Sequence, residues 1–168
     1  NIQIISIILN SPFKCQILIA SQGQFEVEFV DKVGKLIQDV DNGEDRNFVI
    51  SSFALVCLQL VSMHLASQSG SQEIPKISKE VCTLIYTRTL EYLKLTDLSV
   101  DAVHALLLTF SVLSKDHNLF DVSDTVMINE LLPIILKSST KCLESEDVRH
   151  KSIVSLVALT LRHLIETP

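Results

Sequence analysis

Two segments of the chain, residues 99–113 and 145–159, carry the same order of polar and apolar residues. In both segments the apolar residues recur three and four positions apart, which places them on one face of a helix. The aligned pairs are Ser99 with Ser145, Asp101 with Asp147, His104 with His150 and Leu113 with Leu159. A helix that recurs together with its neighbours is typical of an α-solenoid, in which successive hairpins bury their apolar faces against each other.

The composition favours long helices joined by short turns. Leu, Ile and Val dominate the 168 residues, Trp is absent, and Gly and Pro number four each. A chain of this length can bury one good core, and an apolar content of 47% lies in the normal globular range. The sequence therefore predicts one all-α domain over residues 1–168.

Turn residues divide the domain into a partial N-terminal repeat and three helical hairpins. The partial repeat covers residues 1–22, and the hairpins cover 24–68, 75–115 and 121–166. Asn42-Gly43 breaks the first hairpin, whose second helix is predicted over residues 48–66. The organisation predicted is thus a stack of about three antiparallel hairpins.

The N-terminal ends of the second helices carry residues that are suited to cap a helix. Asp45, Asp101 and Ser145 occupy matching places before or early in these helices, so we expect them to be the caps. Pro133 lies inside the first helix of the third hairpin and should either kink this helix or mark a late start.

The third hairpin has a set of residues at characteristic places. Its first helix contains Leu131-Leu132-Pro133, its turn contains Asp147, and its second helix begins with Val148-Arg149. This arrangement resembles that of HEAT and armadillo-type repeats. The likeness is good over residues 128–166, partial over 76–114, and faint before residue 68.

The resemblance implies a right-handed α-solenoid that belongs to a larger intracellular protein, cytoplasmic or nuclear, and packs against adjacent repeats of that chain. Proteins of this kind are generally scaffolds and adaptors. We therefore expect a non-enzymatic domain that binds another protein or peptide segment.

The apolar stretches and the cysteines also favour an intracellular domain. The apolar run over residues 53–66 is interrupted by Gln59, Ser62 and His64 and is shorter than the roughly twenty residues of a membrane span, so we expect a core helix and no membrane partner. The cysteines have no zinc-type spacing, and we expect buried free thiols, with paired disulfides as the alternative. They are Cys15, Cys57, Cys82 and Cys142.

Motifs for catalysis, cofactors or metals are not found in the sequence. It has neither a nucleophile elbow nor a Gly-rich phosphate loop, and its histidines have no further ligands at metal-binding spacing. The net charge of −6 disfavours nucleic acid as a partner. We expect no catalytic residue, no cofactor and no metal.

The last helix has a polar arc that is our candidate for partner binding, because second helices line the concave surface in HEAT-like stacks. An ordinary solvated face is the alternative. The candidate residues are Arg149, Ser152, Ser155, Arg162 and His163.

The hairpin turns are acidic, and stacking would bring them together along one edge. We hypothesise that this acidic edge meets a basic partner segment, whereas the alternative is that its carboxylates only complement helix dipoles. The candidate residues are Asp39, Asp41, Glu44, Asp97, Glu144 and Glu146.

Two other functions remain as alternatives. A solenoid associated with nucleic acid would align Lys and Arg on successive second helices, and only the last helix does so. A compact helical bundle used for dimerisation would make the match between residues 99–113 and 145–159 accidental.

Overall fold

The computed structural model describes residues 24–38, 43–68, 77–116, 119, 125–140 and 146–166, and within these ranges it contains helices and no strand. The prediction of an all-α chain is confirmed for this part. The predicted partial repeat at residues 1–22 lies outside the described residues. The six helices are α1 over 24–38, α2 over Gly43–Gln68, α3 over Lys79–Leu93, α4 over Val100–Leu113, α5 over Thr125–Thr140 and α6 over Val148–Ile165.

The first helix contains an irregularity that its periodicity does not reveal. The α-helical segments Gln24–Glu28 and Gly34–Gln38 flank a π-helical turn over Phe29–Val33. A Cβ atom at Gly34 would lie 3.0 Å from Cδ and Nε of Arg88, so glycine leaves room for that side chain to cross α1.

Three helices begin at a side-chain cap. Ser78 accepts a hydrogen bond from the backbone N–H of Val81 at the start of α3, at 3.3 Å. Ser99 does the same for α4, and Asp147 accepts from the N–H of Arg149 at the start of α6. Each cap satisfies an N–H group that the first helical turn leaves without a partner.

The caps predicted from the sequence were wrong. Asp101 lies in the first turn of α4, one position after the helix begins, and the cap of α6 is Asp147 instead of Ser145. Asp45 is inside α2, because that helix begins already at Gly43. In α4 the hydroxyl of Ser99 takes the N–H group, and Asp101 in the first turn interacts favourably with the helix dipole.

The second helix is longer than predicted. It has 26 residues instead of the predicted span 48–66, so the argument from length against a membrane span was wrong. Its segment Asp45–Gln68 has a mean hydropathy of 1.9 and satisfies the length and composition of a span, while half of the apolar window is buried inside the fold. A core helix of a folded domain meets the same criteria.

The helices pack in chain order in two rows. Helix α2 packs most extensively on α4, and α4 packs on α6, while α1 contacts α3 and α3 contacts α5. The contacts of α3 with α4 and of α5 with α6 join the rows. One continuous apolar core receives residues from all six helices, and its largest fully buried side chains include Phe53, Leu60, Ile85, Leu106, Phe110 and Leu131.

Polar contacts fix the direction of α2, α4 and α6. At the start of α2, Asn47 accepts a hydrogen bond from the N–H of Ser99, and at its end His64 contacts Asp116. Early residues therefore meet early residues and late residues meet late ones, so α2 runs parallel to α4. His104 near the start of α4 contacts Ser152 near the start of α6, which extends the same order to the third helix of the row.

Two further predictions concern Pro133 and the cysteines. Pro133 is exposed within α5, and the helix extends on both sides of it, so the prediction of a late start was wrong. Cys57 and Cys82 are buried free thiols, as predicted. Cys15 and Cys142 lie outside the described residues.

Candidate interaction surface

The residues of the predicted polar arc on α6 are divided between two environments. Arg149, Ser155 and Arg162 are exposed, whereas Ser152 and His163 are half-buried. The Nε2 atom of His104 lies 2.9 Å from the hydroxyl of Ser152. Part of the arc therefore belongs to the contact between α4 and α6.

The contact of His163 with α4 is made at the end of that helix. Its Nδ1 atom lies 3.2 Å from the hydroxyl of Ser114 and 3.1 Å from the carbonyl oxygen of Ser111. A single ring nitrogen thus faces two polar groups of α4. The structure assigns His163 a role in joining the two helices, and its predicted contact with a partner stays a prediction.

The exposed arginines of α6 have carboxylate neighbours. Arg149 forms an ion pair with Asp147 at 3.1 Å and a longer one with Asp101 at 3.6 Å. The hydrogen bond with Asp147 raises the pKa of Arg149 and lowers that of Asp147. Arg162 pairs with Glu166 four residues further along the helix. Asp147 is half-buried and the other groups are exposed, so the pairs contribute little to stability and the arginines remain accessible to a partner.

The described part of the predicted acidic edge also contains arginine. Asp97 forms an ion pair with Arg46, and its backbone carbonyl accepts a hydrogen bond from the side chain of Asn47. Glu146 is exposed. Arg46 and Arg149 therefore neutralise part of the negative charge on this edge. The side chains of Asp39, Asp41, Glu44 and Glu144 lie outside the described residues.

A wider surface, of which the sequence analysis named only Ser155 and Arg162 as partner-binding residues, lies on the side of α2, α4 and α6 away from the core. Each helix has a line of residues seven positions apart, a spacing that keeps them on one side of a helix. We call these lines together the open face. They are Phe48, Leu55 and Ser62 on α2, Asp101, Leu108 and Lys115 on and just after α4, and Val148, Ser155 and Arg162 on α6.

The open face is mostly apolar at its start and centre, where Asp101 is its one carboxylate, and basic at its end. Phe48 is 58% exposed and Leu55 is 46% exposed, and they lie two turns apart on the same side of α2. Leu108 is half-buried between the sides of α4 that contact α2 and α6. Lys115 and Arg162 are exposed at the far end of the helices. A surface of this kind offers apolar anchors together with a positive edge.

The described cysteines and the buried histidine are poorly placed for chemistry. Burial raises the pKa of Cys57 and raises that of Cys82 to about 12, so both thiols are protonated near neutral pH. His64 and its neighbour Asp116 are 8% and 3% exposed. A substrate would have to enter the core to reach any of these groups.

Comparison with known proteins adds no relative of this chain. No protein family, curated protein or solved structure matches it.

Proposed function

We propose that this chain is a non-enzymatic interaction domain, a short α-solenoid of the HEAT or armadillo type that binds a segment of another protein on its open face. The apolar side chains of Phe48 and Leu55, exposed on the side of α2 away from the core, carry the proposal. Exposed side chains of this size, next to polar ones, are characteristic of protein-binding surfaces.

The order of helix contacts supports a solenoid. Each helix of the row α2, α4, α6 packs mainly on the next member of its row, and α1, α3 and α5 follow the same order. Stacked hairpins produce this pattern because each unit contacts its neighbours. A bundle around a single centre would instead bring α2 and α6 into extensive contact, and the extensive helix contacts of the described residues do not include that pair.

The charges on the open face indicate the chemistry of the partner. Lys115 and Arg162 lie at the far end of the open face, where Arg162 also pairs with Glu166, while Phe48 and Leu55 supply apolar contact nearer its start. A partner segment with apolar residues followed by an acidic residue would match both features. Ser155 and Arg162 of the polar arc belong to the open face itself, and the acidic edge would then flank the bound segment as a secondary contact.

The alternatives have weaker support from the described residues. Arg46 is the single basic residue of α2 and pairs with Asp97, so α2 offers no accessible cation to a nucleic acid. Dimerisation through the open face would use the same apolar residues as partner binding. A measurement of the oligomeric state therefore distinguishes these two functions.

The experiment compares Leu55→Glu with Leu136→Glu. Leu136 lies on α5, in the other row, and is 47% exposed against 46% for Leu55, so the two changes place the same charge at equally exposed positions. Wild type and variants are immobilised on a resin and incubated with an extract of the source cells. The captured proteins are then quantified by mass spectrometry. We expect Leu55→Glu to lose a partner that Leu136→Glu retains. In a second step, the affinity of the purified partner should be at least tenfold lower for Leu55→Glu than for wild type.

Equal capture by wild type and Leu55→Glu would contradict the proposal. Light scattering at increasing concentration tests the dimer alternative, which predicts a dimer that Leu55→Glu dissociates. Fluorescence anisotropy with a labelled duplex at low salt tests the nucleic-acid alternative.

A further inference from the structure

A cavity of about 290 Å³ lies where the turn between α3 and α4 approaches α5 and α6. It shares no described residue with the open face. Its described lining residues are Leu93, Leu95, Thr96, Leu98, Val100, Val103, Lys137, Ser138, His150 and Ile153.

The walls of this cavity are mostly aliphatic. Six of its described lining residues are Leu, Val or Ile, and none of the described ones is Phe, Tyr or Trp. Leu93 and Ile153 form buried parts of the wall, while Leu95 is 36% exposed. Such walls favour an aliphatic group, because contact with the Leu, Val and Ile side chains removes its apolar surface from water.

Polar groups reach the same cavity from the third hairpin. Lys137 comes from α5 and His150 from α6, and no Asp or Glu is among the described lining residues. Lys137 forms no ion pair with any carboxylate that the structure describes. His150 interacts electrostatically with Asp147 outside the cavity. Lys137 is therefore the cation available to a ligand.

The volume limits the ligand to a small one. Sites for drug-sized ligands begin at roughly 300 Å³, so this cavity suits one short chain and excludes a nucleotide or a larger cofactor. An aliphatic chain would exchange water for the Leu and Val walls, and a negative head group would form a charge-assisted hydrogen bond with Lys137.

We propose that this cavity binds a carboxylate carried by a short aliphatic chain. Two sources have this chemistry: a free short-chain carboxylic acid, and the C-terminal residue of a peptide that ends in Leu or a similar residue. The inference is independent of the open face, because the two surfaces use different residues.

The test is an NMR titration of the ¹⁵N-labelled protein with hexanoate and with hexanamide, which has nearly the same shape without the charge. We expect hexanoate to shift the amide resonances of Thr96, Leu98 and His150, and hexanamide to bind at least tenfold more weakly. Butanoate should bind about fourfold more weakly than pentanoate, because each buried methylene contributes about this factor. N-acetyl-glycyl-leucine represents the peptide terminus. If this dipeptide binds more tightly than hexanoate, the natural ligand is the C-terminus of a peptide. If it binds less tightly, the natural ligand is a free short-chain acid.

Two variants and one control make the test specific. Lys137→Met should lower the affinity for hexanoate about tenfold and leave that for hexanamide unchanged, whereas Lys79→Met, an exposed lysine on α3 outside the cavity, should change neither. Leu95→Trp should fill the cavity and abolish binding of both probes. Equal binding of hexanoate and hexanamide, or no shift at these amides with tens of millimolar hexanoate, would overturn the proposal. Unchanged spectra elsewhere in the protein show that each variant is folded.

Discussion

His64 and Asp116 join the ends of α2 and α4 inside the protein. The Nε2 atom of His64 lies 2.7 Å from Oδ2 of Asp116, and Nδ1 lies 2.8 Å from the carbonyl oxygen of Ile77. Because a carbonyl oxygen only accepts, Nδ1 carries a proton and donates it there. Gln68 donates a further hydrogen bond to Asp116 at 3.0 Å. These contacts connect two helices and the segment that leads into α3.

Replacing His64 by Leu should destabilise the fold strongly. The substitution leaves the buried carboxylate of Asp116 without its imidazole partner, and removal of one member of a buried pair costs about 3 kcal/mol. We expect a loss of this size in the free energy of unfolding, measured by urea denaturation at neutral pH.

The double variant His64→Leu and Asp116→Leu is the control for this prediction. It removes both polar groups together, so its loss should be smaller than the sum of the two single losses by about 1–3 kcal/mol. Strict additivity would mean that the two side chains do not depend on each other, and would contradict the role assigned to them.

The contact between His64 and Asp116 shows which part of the structure the sequence could predict. Helices α3, α4 and α6 follow from apolar periodicity and Ser or Asp at the turns, which are local signals. His64 and Asp116 are 52 residues apart, and no local pattern relates them. Their contact arises from the packing of α2 on α4, which sequence periodicity does not specify.

The open face illustrates the same limit. Phe48 and Leu55 are visible in the sequence, but α2 is apolar nearly all round, so its pattern does not distinguish the buried side from the exposed one. Which side is exposed depends on where neighbouring helices lie. The opposite error occurred with Ser152 and His163. They were predicted to lie at the surface because they are polar, but they contact α4.

The capping carboxylate of α6 should make stability depend on pH in the acid range. The hydrogen bond with Arg149 lowers the pKa of Asp147 below its usual value of 3.8. A group whose pKa is lower in the folded than in the unfolded state stabilises the fold above the unfolded pKa, and this contribution disappears as pH falls through the folded pKa. Asp147→Ala should therefore lower the melting temperature at pH 7 and have progressively less effect below pH 4.

Ser99→Ala is the matched control, because Ser99 caps α4 with a hydroxyl that does not titrate in this range. It should cost about 1 kcal/mol at every pH at which the protein stays folded. If the effect of Asp147→Ala were equally independent of pH, its carboxylate would not be the stabilising group.

The buried thiols should resist alkylation in the folded protein. With a pKa of about 12, Cys82 is a thiolate to roughly one part in 10⁴ at pH 8, and thiolate is the reactive form. Cys57 is fully buried, and this burial raises its pKa as well. Brief treatment with iodoacetamide followed by peptide mapping should leave both cysteines unlabelled, and the same treatment in urea should label both. Rapid labelling of Cys82 without urea would contradict its burial.

Tyr92 should contribute separately through its ring and its hydroxyl. The hydroxyl donates a 2.6 Å hydrogen bond to the carbonyl oxygen of Gly34, and the ring meets Phe53 edge-on with centroids 5.7 Å apart. Tyr92→Phe removes only the hydrogen bond and should cost about 1 kcal/mol, whereas Tyr92→Ala also opens a cavity and should cost about 4 kcal/mol. Equal losses in urea denaturation would show that the ring contributes nothing.

The stacked order of the helices can be tested through the spread of a local defect. Val157 is buried on α6, and Val157→Ala should weaken that helix by removing core contacts. In a solenoid the effect passes to the neighbouring unit first, so hydrogen exchange should become faster in α6, α5 and then α4, and change least in α2.

Leu60→Ala on α2 gives the mirror experiment. Leu60 is fully buried, and its truncation should accelerate exchange in α2 and α4 while α6 is least affected. The two variants thus share an effect on α4 and differ at the outer helices. If both accelerated exchange equally in all helices, the domain would open as one unit, as a bundle around a single centre does, and the solenoid proposal would have to be abandoned.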